Sequence, residues 1–397
     1  MATSETTQSA AAVSGAPSAV RGERIQSVDV FRGLTIALMI LVNNDGDYSH
    51  TYWPFLHSQW NGWTPTDLVF PFFVFIVGVS MVYSFRARLA RGDSREKILI
   101  HALQRAVILF AIGVLVINSF PDHYNLAHIR IYGVLQRIAI CYLVAAVFVL
   151  WSGVEGKIAA IGVCLIGYWI LMRYVPVPGF GVPTHGFPLL DPDKNLAAWL
   201  DRKLLMGHLY EGTRDPEGLL STVPAIGTIL FGVLTGEWLR SKATARAKAL
   251  WMLVFGAIGL AAGKFFNIWF PINKKLWTSS YVLFTAGFAL VVLALCYWLL
   301  DVRKLRGRWT MPLLVFGMNA IAAYTLSEVL ASTLNSWHVA VAPNESIPLQ
   351  MFIYHHVFAF PGGVSTKNAS LAYALAFVLV CWLVMWILWR KKIFLKV

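Results

Sequence analysis

Within residues 55–78, FLHSQWNGWTPTDLVFPFFVFIVG, a histidine stands a short way ahead of a long apolar run. Imidazole titrates near neutrality, so His57 has the chemistry of a proton acceptor. Taken alone it reads more readily as a polar residue at a water–lipid boundary. The other candidates are charges inside apolar segments, where an ionisable group is costly and marks a functional site by default. Arg137, beside Gln136 in RIYGVLQRIAI, calls for a buried anion, from the protein or from a ligand. Arg105 is open to two readings, a site residue or a side chain snorkelling to a basic surface. Asp29 and Arg32, three residues apart, form either a site or a salt bridge that anchors the first helix. None of the ten histidines makes an HExxH pattern, and His355-His356 are adjacent, so they cannot share a helix face. GxSxG, Walker and dinucleotide fingerprints are missing, which argues against a soluble-type nucleotide site.

Membrane helices must position these residues. The chain has 397 residues, 57% hydrophobic and 13% charged, with a mean hydropathy of +0.62. Its apolar runs have the length that crosses a bilayer, so the expected fold is all-α, a polytopic bundle of about ten to eleven transmembrane helices. The alternation of a membrane barrel is missing. Spans are expected near 27–44, 65–86, 97–118, 130–151, 157–175, 217–240, 247–270, 277–300, 310–332 and 369–389, and 349–361 is too short to cross. Thr64-Pro65-Thr66-Asp67 reads as the start of the second span, with Thr64 as cap, Pro65 in the first turn and Asp67 three residues after the cap. That pattern explains Asp67 as a cap before any other role. Glu217 starts a later helix, where an anion suits the helix dipole.

The net charge of +13 comes from basic loops between spans, the positive-inside pattern, and gives no reason to invoke nucleic acid. It places both termini in the cytoplasm, and puts the His57 loop, the long 176–215 segment and 271–277 on the other side. Lys274 and Lys275 break the bias there. Within 176–215 a helix along the membrane surface is expected around 196–204, next to acidic residues. Residues 1–24, rich in Ala, Ser and Thr, are expected to be a disordered tail before one membrane domain, 25–397. The four cysteines lie singly in apolar segments without disulfide or zinc spacing, and no metal is expected.

Long motifs then recur in a familiar order: SVDVFRGLTIALMILVNNDGD, FLHSQWNGWTPTDLVFPFFVFIVG, RIYGVLQRIAICY, AAWLDRKLLMGHLYEGTRDPEGLLSTV, NKKLWTSSYVLFTAG and FGMNAIAAY. Over about 25–390 the chain resembles the membrane acetyltransferase region of the heparan-α-glucosaminide N-acetyltransferase family. The resemblance does not reach the lumenal N-terminal domain of the lysosomal enzyme. The turn after Asn43, Asn44-Asp45-Gly46-Asp47, departs from a glycine-rich family turn, which bears on the acceptor.

The resemblance implies transfer of an acetyl group from cytosolic acetyl-CoA to the amine of a glucosamine-type sugar on the far side of an inner (cytoplasmic) membrane. Its active centre falls on His57, as general base or acetyl carrier, and on Asn43, whose amide can hold a carbonyl or oxyanion. On this reading Asn43, rather than Asp67, is the partner of His57. Arg32, Arg105, Arg137 and Gln136 are candidates for CoA, whose phosphates need cations at the cytoplasmic mouth. Trp60, Asn61, Asp67 and Glu217 are candidates for the acceptor. The expected partners are the bilayer, acetyl-CoA, the amino sugar and a second copy in a homodimer. The alternative is a transporter for N-acetylglucosamine or a related sugar, whose rings the 16 tryptophans would suit. The halves show no inverted repeat in its favour.

Overall fold

The computed structural model describes residues 25–120, 124–125, 127–343, 345–359 and 362–395. The tail expected over 1–24 lies outside the described residues. The chain is a helical bundle, with α1 (Gln26–Asn43), α2 (Val69–Leu89), α3 (Arg95–Ala111), α4 (Val134–Trp151), α5 (Val154–Gly162), α6 (Tyr168–Tyr174) and α7 (Leu196–Leu205) in its first half. There follow α8 (Thr222–Leu239), α9 (Ala245–Phe266), α10 (Ser279–Tyr297), α11 (Met311–Met318), α12 (Ala320–Ser336), α13 (Leu349–Ile353) and α14 (Lys367–Arg390). A π-helical turn joins α5 to α6, and others extend α3 and α10. Among the described residues nine helices are long and apolar enough to cross a membrane, or ten if the bent pair α11–α12 is one crossing.

With ten crossings, Gln26 and Arg390 emerge at the same face of the bundle, and the polar contacts agree. At that face Gln26 reaches Thr310, and the Ser27 N–H donates to Asp301. At the opposite face Trp60 reaches Leu190, Asn273 reaches Asn61, and Tyr52 reaches Asn368. The His57 loop, the 176–221 segment and the loop before α10 therefore share one end of the bundle.

Burial separates inner from outer helices. The span Pro65–Leu89 is 83% buried, while those of α3, α5–α6 and α9 are 22% buried and turn apolar side chains outward, as lipid-facing helices do. Small residues let the inner helices touch. A Cβ on Gly232 of α8 would lie 2.0 Å from the Phe75 carbonyl oxygen of α2, and one on Gly78 would lie 2.2 Å from that of Ile229. Gly33 and Gly317 play the same part between α1 and α11.

Two features differ from the sequence expectation. The span expected over 310–332 is broken at Asn319 with a bend of 76°. The Asn319 amide donates to the Ile393 carbonyl (3.2 Å) and accepts from the Leu395 N–H (3.0 Å), so a side chain at the break pairs with backbone beyond α14. A two-stranded antiparallel hairpin, β1 (His338–Ala342) and β2 (Glu345–Pro348), follows α12. Residues 349–358 then form α13 and a π-helical turn at the same end as His57, too short to cross.

Candidate active site

The turn ahead of α2 starts as its sequence suggests, with Pro65 in the first turn and a capping box between Thr64 and Asp67. One Asp67 oxygen accepts from the backbone N–H groups of Thr64 and Ser58, both at 3.0 Å. The other lies 2.7 Å from His57 Nδ1. Asp67 is thus both the cap and the partner of the histidine, because the 57–64 loop curls back over the helix start. The Thr64 hydroxyl closes that curl by donating to the Leu56 carbonyl at 2.6 Å. The His57 side chain is 39% exposed and that of Asp67 1%. A buried carboxylate on Nδ1 holds that nitrogen as the donor and leaves Nε2 with a lone pair facing the open side.

This corrects the pairing of His57 with Asn43. Asn43 is exposed at the end of α1, and its carboxamide bonds to Glu328 of α12, which also takes the Tyr324 hydroxyl. No hydrogen bond joins Asn43 to His57 among the described residues.

The loop before α10 supplies a cation. Lys274 Nζ lies 3.0 Å from His57 Nδ1, 3.2 Å from Nε2 and 3.7 Å from Asp67 Oδ1. An atom nearly equidistant from both ring nitrogens and in the ring plane would collide with Cε1, so the ammonium sits against the ring face. The loop is tied internally. Thr278 Oγ1 donates to the Pro271 carbonyl (2.8 Å) and accepts from the Asn273 N–H (3.0 Å), and Asn273 Oδ1 accepts from the Leu276 N–H (2.9 Å). Trp277 holds a positive φ of 50° and is fully buried, with its indole N–H on Thr228 Oγ1. Such backbone persists only where packing over-determines it. The loop docks on the histidine loop through the Gly62 N–H to the Ile272 carbonyl (2.7 Å), and the Tyr281 hydroxyl donates to the Asp67 carbonyl. Burial moves the Lys274 ammonium below the ordinary lysine range, against the opposing pull of Asp67 and Glu217.

The acceptor candidates occupy distinct places around this centre. Trp60 donates its indole N–H to the Leu190 carbonyl (2.7 Å) and lies under the Arg214 guanidinium. Asn61 is exposed and takes the Asn273 amide at 3.2 Å. Asp67 is spoken for by His57 and the cap. Glu217 accepts from Arg130 Nη2 (2.6 Å), while the same guanidinium grips Asp215 through two bonds and covers the Tyr210 ring. Burial would raise Glu217, yet Arg130 and Arg137 hold its carboxyl below the usual range. Nearby Asp201 is buried with the Leu219 N–H on Oδ1, and burial, helped by the Asp215 charge, pushes its carboxyl up to about 6.

The CoA candidates are not gathered into one site. Arg32, near the start of α1, is bound by Asp29 (2.7 Å), the Gly317 carbonyl (2.6 Å) and Ser80 (3.2 Å), so the Asp29–Arg32 pair is a salt bridge within an interhelical contact. Arg105 is the eleventh residue of α3, because Ser94 caps that helix and starts it at Arg95. That puts it ~15 Å along the axis, over the Tyr142 ring rather than at a mouth. Arg137 lies at the His57 end, since α4 begins only at Val134. It is fully buried over the Trp277 ring, with Nη2 on Ser221 and the Gly218 carbonyl. Among the described residues no carboxylate stands within ion-pair distance of it, and its Nε and Nη1 have no partner. The guanidinium lies against a ring face in place of a protein carboxylate. Gln136 is buried too, bonded to the Ile131 carbonyl at 3.0 Å.

A cavity of about 500 Å³ opens beside Asn43 at this same end, lined among others by Asp45, Asp47, Gln350, Tyr354 and Tyr373. No lysine or arginine lines it among the described residues. Asp45 accepts from Thr51 Oγ1 (3.1 Å), and burial raises its carboxyl.

Sequence reasoning missed Glu328 and Arg130 and gave Lys274 only a hint. Glu328 sits in the apolar run AIAAYTLSEVLA, where the criterion that singled out Arg137 would find it. Lys274 and Lys275 stood out only as a break in the charge bias.

Comparison with known proteins agrees with the motifs. Residues 24–262 match the family model described as heparan-alpha-glucosaminide N-acetyltransferase, catalytic. The heparan-alpha-glucosaminide N-acetyltransferase of Mus musculus is 34% identical, over 77% of this chain and 54% of its own length. The Homo sapiens protein of the same name is 34% identical, over 77% of this chain and 53% of its own. The chain thus spans about half the length of the curated relatives it matches. With its membrane helices and the motifs in order, the chain belongs to the heparan-alpha-glucosaminide N-acetyltransferase family.

Proposed function

We propose that this protein is a transmembrane acetyltransferase that moves an acetyl group from acetyl-CoA to the amine of a glucosamine-type sugar. The observation that carries the reading is the half-exposed His57 held at Nδ1 by the fully buried Asp67. An ammonium acceptor must first lose a proton, and His57 Nε2 takes it. The free amine then attacks the thioester carbonyl, the C–S bond breaks, the attacking nitrogen loses its second proton to water, and the departing thiolate takes up the proton held by His57 as CoA thiol. Asn43, at the edge of the cavity, is placed to hold the carbonyl oxygen of the transferred group, with Glu328 fixing its orientation. The cavity beside it suits the acceptor, and its two carboxylates suit an ammonium.

Arg86, Arg88, Arg91, Arg240, Lys242, Arg303 and Lys304 lie at the end opposite His57, and the positive-inside tendency supports a cytoplasmic setting for that end, on the side of an inner membrane that holds acetyl-CoA. An acetyl group carried on His57 is the competing route to direct transfer. Acid quenching with labelled acetyl-CoA and no acceptor separates them: label on His57 means a carrier. The principal test is acetyl-CoA turnover by purified protein with glucosamine. Full activity in His57→Ala would remove the mechanism.

One observation favours the transporter reading: the break at Asn319, since discontinuous helices line transport sites. Sugar uptake into proteoliposomes without acetyl-CoA would support it.

A further inference from the structure

Asp67 by itself would make His57 a poor base. A carboxylate 2.7 Å from Nδ1 favours the imidazolium, and a histidine already protonated cannot take a proton from an ammonium. Three charged groups face the ring. Asp67 comes from the start of the α2 span, Asp45 from the turn after α1 at longer range, and Lys274 from the loop ahead of α10. Lys274 is in turn faced by Asp67, Glu217 and Lys275. Among the described residues, the cation is therefore the one positive charge in contact with the imidazole. It is held there by the Pro271–Thr278 knot and not by a flexible surface loop.

We infer that Lys274 is a positioning residue that keeps His57 neutral, its ammonium on the ring face offsetting the Asp67 carboxylate at the ring edge. The two charges divide the work by geometry. Asp67, in line with Nδ1, fixes which nitrogen carries the proton. Lys274, out of the plane, competes for no lone pair and acts only on the charge of the ring. When His57 takes the acceptor's proton, the imidazolium finds itself against an ammonium and gives that proton up readily to the departing sulfur. The base is thereby reset within the same turnover. The consequence for catalysis rests on the acetyltransferase reading, but the effect on the charge of His57 does not.

The test reads His57 directly. Neutral imidazole reacts with diethyl pyrocarbonate and imidazolium does not, so mass spectrometry of the His57 peptide against pH gives the titration midpoint in the intact protein in detergent. Lys274→Met should raise that midpoint by about one unit or more, and Lys274→Arg should restore it. Asp67→Asn should move it the other way. The acid limb of kcat/KM for acetyl transfer should follow each shift. Where Lys274→Met does not fold, Lys274→Gln removes the same charge and should give the same rise. A midpoint unchanged or lowered on loss of the charge overturns the inference. A midpoint that moves in a protein without acetyl transfer supports it and removes the proposed function instead.

Discussion

Asp67 and His57 are joined by a bond that also begins a membrane helix. One carboxylate oxygen caps the turn through Thr64 and Ser58, and the other fixes the imidazole. The orientation of the base is thus built into the start of the most buried span.

Replacing Asp67 by Asn separates the two roles. The carboxamide keeps an oxygen for the Thr64 and Ser58 N–H groups, so the helix start should lose less than the roughly 1 kcal/mol of losing a cap outright. Losing control of the histidine tautomer should cost about 100-fold or more in kcat, the range of general-base catalysis. Turnover measured beside thermal melting is therefore expected to collapse while the melting temperature moves by only a few degrees. A variant that loses stability but keeps its kcat would leave Asp67 as a cap alone.

Arg137 illustrates a charge whose place the sequence could not give. The apolar run predicts a helix from about 130, which sets Arg137 deep, and the helix begins at Val134. The structure puts it at the His57 end over Trp277, away from the basic face. Arg137→Met should accordingly leave the KM for acetyl-CoA within about twofold, whereas loss of a charge-assisted phosphate contact would raise it about tenfold or more. Steady-state kinetics with varied acetyl-CoA decides this, and a tenfold rise would return Arg137 to the CoA site.

What was legible in the sequence was local. Long apolar runs announced the spans, and the Thr64–Asp67 spacing announced a cap that the structure contains. The helix expected at 196–204 is α7. What escaped was set by distant partners. The break at Asn319 depends on backbone at 393–395, and the second role of Asp67 depends on how the 57–64 loop closes. Lys274 reaches His57 only because two loops 200 residues apart dock through Gly62 and Ile272.

Asp201 predicts a pH dependence of stability. Its carboxyl stands at about 6 in the folded protein against an ordinary 3.8, so the fold binds this proton more tightly than the unfolded chain. The contribution, about 3 kcal/mol, is complete below the unfolded value and is lost as pH rises through 6. Asp201→Asn keeps an acceptor for the Leu219 N–H and cannot ionise. Its melting temperature should fall less than that of the wild type between pH 5 and pH 8. Parallel curves for the two proteins would show that Asp201 does not carry the effect.

Asp45 lies in the turn Asn44-Asp45-Gly46-Asp47, and it tests what the cavity holds. The carboxylate is half-buried, has no ion-pair partner among the described residues, and lines a space with a second carboxylate and no lysine or arginine. A cationic amine fits that field better than a sulfated or carboxylated sugar chain. Asp45→Asn should raise the KM for glucosamine about tenfold, the loss expected for one charge-assisted hydrogen bond. Inhibition by the uncharged N-acetylated product should stay the same. Because burial raises the Asp45 carboxyl, the wild-type KM should also climb as pH falls toward that elevated value, and the variant should lack this climb. Equal effects of Asp45→Asn on amine and product would mean that the residue shapes the cavity without recognising charge.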